Sequence, residues 1–112
     1  MAPEARLATG IWVAAYRARL AQAGIPVYVT RRGDETAGAV LVKCATLDGR
    51  AQLWAREWDM ETDRRDWRVI FDGNEAEADA AATRQAGFDP DLWVLEIESR
   101  EGRTLLDEDG LA

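Results

Sequence analysis

Residues 38–44 read Gly38-Ala39-Val40-Leu41-Val42-Lys43-Cys44, and this stretch decides the fold that the sequence predicts. The run is apolar on both alternating faces, whereas a strand with one solvated face alternates between apolar and polar side chains. Such a run is typical of a strand that is covered on both sides. We therefore place it at the centre of a sheet and expect other elements to cover it.

A helix and a short strand are predicted before this central strand. Apolar side chains recur at the spacing of one helical face between Thr9, which we predict to be the N-cap, and Gly24, which we predict to be the stop. The helix is therefore expected over about residues 10–23. The alternating residues 27–30 predict a strand, and the polar residues 31–36 predict a hairpin turn that joins it to the central strand.

Two further strands are predicted after the central strand. The pair Asp48-Gly49 is a strong hairpin signal and leads into a strand at residues 51–56. Residues 59–66 are charged and predict a loop. Apolar and polar residues then alternate over 67–72, which predicts a fourth strand.

A second helix and a fifth strand are predicted in the last third of the chain. Asn74 begins a capping-box-like sequence, so an alanine-rich helix is expected from there to about Ala86, with Gly87 as its stop. Residues 92–98 alternate as a strand. Residues 104–106 predict an optional short edge strand.

The order of these elements predicts the fold class. It reads α-β-β-β-β-α-β, with or without a final strand, and indicates an α+β fold with a mixed or largely antiparallel sheet of four to six strands and two helices. A chain of 112 residues has the usual size of one domain. We expect a single domain over 1–112, with an ordered core at about 7–106 and a frayed acidic tail at 107–112.

The composition excludes several kinds of catalytic and metal site. The chain has no histidine, one serine (Ser99) and one cysteine (Cys44). Ser-His-Asp and Cys-His catalysis and zinc sites with the usual nitrogen and sulfur ligands are therefore excluded. We predict no catalytic residues, no metal ligands and no cofactor, and the sequence favours a protein that is not an enzyme.

The same composition indicates where the protein acts. No apolar run approaches the roughly 20 residues that a membrane-spanning helix needs, so no membrane partner is expected. A lone cysteine suits a reducing compartment, which indicates a cytoplasmic protein. The net charge of −7 is unevenly placed, because residues 1–56 carry +4 and residues 57–112 carry −11.

Two clusters are the candidate interaction surfaces. Arg31, Arg32 and Asp34 surround a glycine in the first predicted turn, where they either cradle a phosphate or form a solvated hairpin turn. Trp54, Arg56 and Trp58 share one face of the third strand. Aromatic and cationic groups on one surface are typical of base-stacking platforms and of hot spots in protein interfaces.

These clusters lead to one preferred function and two alternatives. The preferred hypothesis is a cytoplasmic protein–protein interaction module that binds a protein partner or itself as a homodimer, through Trp54, Arg56 and Trp58. The first alternative is nucleic-acid binding by the basic N-terminal half, which the net charge of −7 disfavours. The second is a metal-assisted, nuclease-like hydrolase using Asp34, Glu35 and acidic residues of the C-terminal half.

Lys43 bears on catalysis because it is the only lysine of the chain. A nuclease of the restriction-endonuclease type requires a carboxylate two residues before such a lysine, and this sequence has Leu41 there, which counts against the hydrolase. A desolvated lysine is also a nucleophile for carbonyl substrates. We instead expect Lys43 to extend its charge to solvent from a sheet edge.

The sequence also resembles a known family. It resembles a family of small bacterial proteins catalogued as a domain of unknown function, over about residues 7–106 with a poor match at 54–72. The segments that carry the resemblance are Ile11-Trp12-Val13 with Tyr16, Gly24-Ile25-Pro26, Arg31-Arg32-Gly33-Asp34, Ala37-Gly38-Ala39, Leu41-Val42-Lys43, Phe88-Asp89-Pro90-Asp91-Leu92-Trp93 and Arg100-Glu101-Gly102-Arg103. The resemblance implies a one-domain protein of a bacterial cytoplasm, and it implies no mechanism.

Overall fold

The computed structural model describes residues 7–112, so the first six residues of the expected single domain lie outside the described part of the chain. The α+β fold is confirmed, with two helices and one five-stranded mixed sheet. The elements are α1 (Thr9–Gln22), β1 (Val27–Arg31), β2 (Val40–Ala45), β3 (Arg50–Asp59), β4 (Arg64–Asn74), α2 (Glu75–Phe88) and β5 (Trp93–Glu98). The optional last strand is wrong, because residues 104–106 are not in a strand.

The strands lie in the order β1-β5-β2-β3-β4, which confirms β2 as the central strand. It runs parallel to β5 and antiparallel to β3. The predicted hairpin between β1 and β2 is wrong, because β5 lies between them and pairs with both. Residues 93–95 of β5 are fully buried whereas β1 is half-exposed, so the more apolar strand occupies the interior position.

The two helices cover opposite faces of the sheet, since successive side chains of β2 belong to different core clusters. Val42 and Cys44 pack in the cluster under α1, whereas Leu41 packs in the cluster under α2. α1 contributes large side chains to its cluster, whereas α2 buries only Ala78 and Ala82. Neither helix among the described residues is long and apolar enough to cross a membrane.

The ends of the helices differ in part from the prediction. Asn74 is the N-cap of α2 as expected, and its Oδ1 accepts hydrogen bonds from the backbone N–H groups of Ala76 and Glu77. α2 continues through Gly87 to Phe88, so the predicted stop is wrong. Thr9 is not an N-cap, because it lies inside α1 and its hydroxyl donates to the Gly38 carbonyl at 2.7 Å.

The hairpin of β3 and β4 is longer than predicted. Residues 59–66 were expected to form a loop, but β3 continues to Asp59 and β4 begins at Arg64. Of the residues of β3, only 51–55 pair with β2. Residues 56–67 therefore form a two-stranded extension beyond the central strands, which we call the ribbon. Asp59 Oδ1 accepts hydrogen bonds from Glu61 N and Thr62 N in its turn.

Candidate functional site

The predicted platform on β3 is only partly exposed. Trp58 is 54% exposed, whereas Trp54 and Arg56 are half-buried and Trp54 packs against the core cluster under α1. The Trp54 indole N–H points along its own strand to Gln52 Oε1 at 3.3 Å. The expectation of one open aromatic and cationic surface is therefore wrong for two of its three residues.

Arg56 is held between two indole rings inside the fold. Its guanidinium carbon lies 5.2 Å from the ring centroid of Trp12 and 4.9 Å from that of Trp67. The two rings are themselves stacked at 5.4 Å. Cation–π attraction therefore uses the charge of Arg56 within the protein, and that charge is not presented to a nucleic acid or a protein partner.

The C-terminal segment is the reason for this arrangement. The indole N–H groups of Trp12 and Trp67 both donate to the carbonyl of Leu111 at 3.2 Å, and Arg56 Nη2 donates to it at 3.1 Å. The Leu111 side chain is 6% exposed and belongs to the core. The expected frayed tail after residue 106 is therefore wrong.

An ion pair also holds this segment. Arg19 makes a bidentate contact with Glu108, at 2.8 and 2.9 Å, so α1 and the C-terminal segment are tied from outside as well as through the core. Burial of Leu111 outweighs the surrounding negative charge, because an apolar side chain gains about 2 kcal/mol when it leaves water. In the sequence, the sign of this burial is Leu111, a single leucine that follows three acidic residues. One apolar residue was too weak a signal to predict that the segment is buried.

The arginine-rich turn binds another turn of the same chain. Arg31 lies in β1 and donates from Nε to the Leu92 carbonyl and from Nη2 to the Pro90 carbonyl, both at 3.2 Å. Arg32 pairs with Glu35 at 2.5 Å and lies 5.6 Å from the ring centroid of Trp93. Both guanidinium groups are thus engaged within the protein.

Asp34 completes the contact between these two turns. Its Oδ2 accepts from the N–H groups of Thr36 and Ala37, and its backbone N–H donates to the Asp91 carbonyl at 3.0 Å. Gly33 and Gly38 approach that same carbonyl so closely that a Cβ at either position would collide with it. The geometry favours the structural interpretation of the cluster over a phosphate cradle. The contact between the two turns also brings together two of the segments that carry the family resemblance, residues 31–34 and 88–93.

The two predicted clusters are not brought together. Arg31 lies on β1 and Trp54 lies on β3, and β5 and β2 lie between these strands. A nucleic acid would have to cross the sheet to contact both. The alternative of nucleic-acid binding therefore gains no continuous surface from the fold.

Lys43 is a buried ion-pair centre. Its side chain is 5% exposed, and its Nζ lies 2.6 Å from Glu96, 2.7 Å from Asp79 and 3.1 Å from Glu75. Burial alone would lower the pKa of Lys43, but the hydrogen bonds to these carboxylates outweigh it and raise the pKa above its usual value. The expected solvent-exposed position at a sheet edge is wrong. A lysine held protonated is also unsuited to nucleophilic attack.

The described residues offer little for metal or substrate chemistry. Within residues 7–112, no group of three or more acidic or cysteine side chains is arranged to hold a metal ion. Asp34 and Glu35, the carboxylates of the hydrolase alternative, are engaged by backbone N–H groups and by Arg32. Two shallow grooves, of about 650 and 520 Å³, flank the C-terminal segment and α1.

The outer edge of β4 is an exposed surface that carries apolar side chains. β4 is the last strand of the sheet, and no strand within residues 7–112 pairs with its outer side. Val69 is 40% exposed on it, and Trp58 and Met60 of the ribbon are 54% and 87% exposed. We call β4 together with Trp58 and Met60 the ribbon edge. Sequence reasoning identified Trp58 and a fourth strand at 67–72, but it missed the first residues of β4, because residues 64–66 read as a charged loop.

The pairing of β3 with β4 determines which side chains share a face. Trp58 lies opposite Arg65, Arg56 opposite Trp67 and Gln52 opposite Asp72, so all of these project on the α1 side. The register shifts between Leu53 and Trp54, which leaves Ile70 as an extra residue. Ile70 and Phe71 both pack against the cluster on the α2 side. Because of this bulge, Val69 and Asp72 project on the same side of the sheet although they are an odd number of residues apart.

Comparisons with known proteins agree on one family. Residues 7–107 match the model of the family described as "Protein of unknown function (DUF1491)". The chain is 43% identical to a DUF1491 family protein from Caulobacter crescentus CB15 in its crystal structure, with a TM-score of 0.79 over 91% of this chain and 94% of that one. An NMR structure of a DUF1491 family protein from the same organism gives 41% identity and a TM-score of 0.82, covering 94% and 96% of the two chains.

A third solved structure is more distant. A protein from A. tumefaciens, determined in solution, is 33% identical with a TM-score of 0.70, covering 85% of this chain and 87% of that one. No curated protein matches the chain.

Proposed function

The chain belongs to the DUF1491 family, whose function is unassigned, and from that premise we propose that it is a non-enzymatic interaction protein that binds an extended segment of a partner protein along β4. The observation that carries the proposal is the open outer side of this strand. β4 has 11 residues, about twice the usual length of a strand. An unpaired strand of that length presents a row of N–H and C=O groups to a partner.

The side chains of the ribbon edge support the addition of a strand. Natural proteins blunt exposed edges with short strands, proline, charged side chains or bulges; β4 is long and has no proline, although it carries charged residues and a bulge at Ile70. Exposed apolar groups also lie along it, at Val69, and beside it, at Trp58 and Met60. A partner strand would cover Val69 and remove apolar surface from water, which stabilises the complex.

Charge determines what the partner strand must look like. Arg64 and Arg65 begin β4, and neither takes part in the ion pairs found among the described residues. Asp72 lies near the other end, where it is half-exposed and pairs with Arg50 of β3 at 3.2 Å, and Glu75 and Glu77 follow it in α2. The strand that fits has acidic residues against Arg64 and Arg65 and basic residues against Asp72.

The absence of histidine, and of an exposed serine or cysteine, supports a role in binding rather than in catalysis. The chain has no histidine, one serine and a cysteine that is fully buried. A single buried thiol is typical of proteins in a reducing compartment, so we propose that the protein is cytoplasmic. Fractionation of the native cell, with detection by antibody, tests that location.

The proposed function is tested by blocking the edge. Val69→Lys places a charge on β4, and Tyr28→Lys is the matched control because Tyr28 is half-exposed on β1, the strand at the opposite edge. Wild type and both variants are used as bait in native lysate, with a photo-crosslinker at position 68. A partner crosslinked to β4 should be lost with Val69→Lys and retained with Tyr28→Lys. Equal capture by the two variants would contradict the proposal.

A further inference from the structure

We infer that the strand which pairs with β4 is β4 of a second copy, running antiparallel about a twofold axis at Arg68. The inference rests on the proposed function and names its partner. The edge requires an acidic residue against Arg65 and a basic residue against Asp72, and β4 read in the opposite direction supplies both, because Asp72 then meets Arg65, whereas Arg64 meets Gly73. Charge complementarity therefore points to self-pairing.

The bulge in β4 makes this pairing geometrically consistent. Opposed residues of antiparallel strands share a face, and in a regular strand Arg65 and Asp72, seven residues apart, would lie on opposite faces. The extra residue Ile70 shifts the alternation, so both side chains project on the α1 side. A twofold axis at Arg68 then places Arg65 of each copy opposite Asp72 of the other.

The same register pairs apolar groups next to the axis. Trp67 of one copy lies opposite Val69 of the other, and both project on the α1 side of the sheet. Val69 is 40% exposed in a single copy and would be covered by this pair. Aromatic and β-branched pairs are favourable across antiparallel strands.

The residue on the axis meets its own symmetry mate. Two Arg68 side chains opposite each other would repel, but the Arg68 guanidinium in each copy is paired with Asp59 Oδ2 at 2.7 Å. This ion pair offsets the like charges at the axis. Arg68 therefore does not prevent the pairing.

Self-pairing also closes the assembly. Each copy contributes five strands, so the two sheets become one continuous sheet of ten with β1 at both ends. β1 has five residues against 11 in β4, so the shorter edge stays outside. An isologous contact uses the same patch on both copies and leaves no β4 edge for further growth.

Cysteine crosslinking tests the register. Arg68→Cys places the new thiol beside its symmetry mate, within the distance that a disulfide spans. Arg64→Cys is the matched control, because it is also an exposed arginine of β4 but would lie opposite Gly73 of the other copy. The native Cys44 is fully buried, so wild type sets the background. We expect rapid dimer crosslinking for Arg68→Cys only, and crosslinking at position 64 but not 68 would overturn the register.

A charge exchange tests the partner. Arg65→Asp and Asp72→Arg should each raise the dissociation constant of the dimer by roughly tenfold in sedimentation equilibrium. The double variant restores opposite charges at both symmetry-related positions and should recover most of the affinity. Thermal unfolding confirms that each variant is folded. A double variant no better than the single ones would overturn the inference.

The two proposals fail in different ways. If wild type is monomeric at high concentration while a different protein is captured through β4, the inference falls and the proposed function stands. If wild type is monomeric and nothing crosslinks to β4 in lysate, both fall. A dimer that survives Val69→Lys would place self-association on another surface and overturn the inference.

Discussion

The two faces of the sheet are stabilised by different kinds of interaction. Under α1, fully buried large side chains such as Tyr16, Leu20 and Leu95 fill the space, and the C-terminal segment closes it. Under α2, the helix contributes Ala78 and Ala82, whose small size brings its backbone close to the strands. The comparison shows that the two faces of β2 are covered in different ways. Large side chains fill the space under α1, whereas small alanines let the backbone of α2 lie close to the strand.

The polar groups of the two faces differ in the same way. Under α1, neutral indole N–H groups and one guanidinium converge on the carbonyl of Leu111. Under α2, Lys43 is charged and is surrounded by three carboxylates that remain partly exposed. Salt should therefore affect the α2 face more through its charges, and truncation should affect the α1 face more through its cavities.

The largest effect is expected from truncation in the helices. Leu20→Ala leaves a cavity under α1 and should lower the free energy of unfolding by about 3 kcal/mol. Ala82→Gly, its counterpart in α2, removes one methyl group and loosens the helix, which costs about 1 kcal/mol. Urea unfolding measures both. Equal losses would show that the two faces do not differ as described.

A smaller loss is expected when the charge under α2 is removed. Lys43→Met keeps the apolar stem and leaves Glu75, Asp79 and Glu96 without their cation, so the free energy of unfolding should fall by about 2 kcal/mol at low salt. Because screening weakens repulsion between partly exposed carboxylates, the loss should shrink at high salt. Urea unfolding at two ionic strengths gives the answer, and a variant as stable as wild type would mean that the ion-pair cluster contributes nothing net.

Alkaline pH should weaken both faces. Burial raises the pKa of the Cys44 thiol and of the Tyr16 phenol, which are therefore held neutral when folded, and Lys43 is held protonated. In each case the unfolded chain loses its proton first, so stability is fully present below about pH 9 and falls as pH rises.

A pH series of unfolding curves tests this expectation. Cys44 has the lowest ordinary pKa of the three, 9.0 against 10.0 for tyrosine and 10.5 for lysine, so it should begin the decline. Cys44→Ala should therefore be flatter than wild type between pH 8 and about 9.5. Stability that increases with pH in this range would contradict the assignment.

The smallest effect separates two indole donors on the α1 side. Trp12→Phe keeps an aromatic ring but removes the five-membered ring of the indole with the N–H that donates to the Leu111 carbonyl, so it should cost about 1 kcal/mol more than the same substitution at Trp54 and speed amide exchange in residues 105–112. Trp54→Phe is the control, because its N–H contacts only the half-exposed Gln52. If the control speeds exchange equally, the indole bonds to Leu111 do not hold the segment.

Much of the fold followed from local pattern. The apolar run at 38–44 gave the central strand, Asn74 gave the cap of α2, and Gly24 gave the end of α1, where its φ is +74°. Each of these signals depends on neighbouring residues alone. The pairing of β1 with β5 did not follow, because strand order depends on which strands bury more apolar surface across the whole chain.

The candidate site was predicted less well than the fold. Trp58 was identified as an exposed aromatic residue, but Trp54 and Arg56 were placed on the same open surface, although Arg56 contacts the C-terminal segment and Trp54 packs against the core. Alternation along β3 correctly put the three residues on one face. It carried no information about what covers that face, since Leu111 is 55 residues away from Arg56.

The sequence by itself determined the element order, the absence of histidine chemistry, and the family to which the chain belongs. Only the tertiary structure decided that Lys43 is a buried ion-pair centre, that the C-terminal segment is part of the core, and that β4 is a long open edge. The physical reason is the range of the forces involved. Helix caps and strand alternation are local, whereas burial, ion pairing and edge exposure depend on elements that are distant in the sequence.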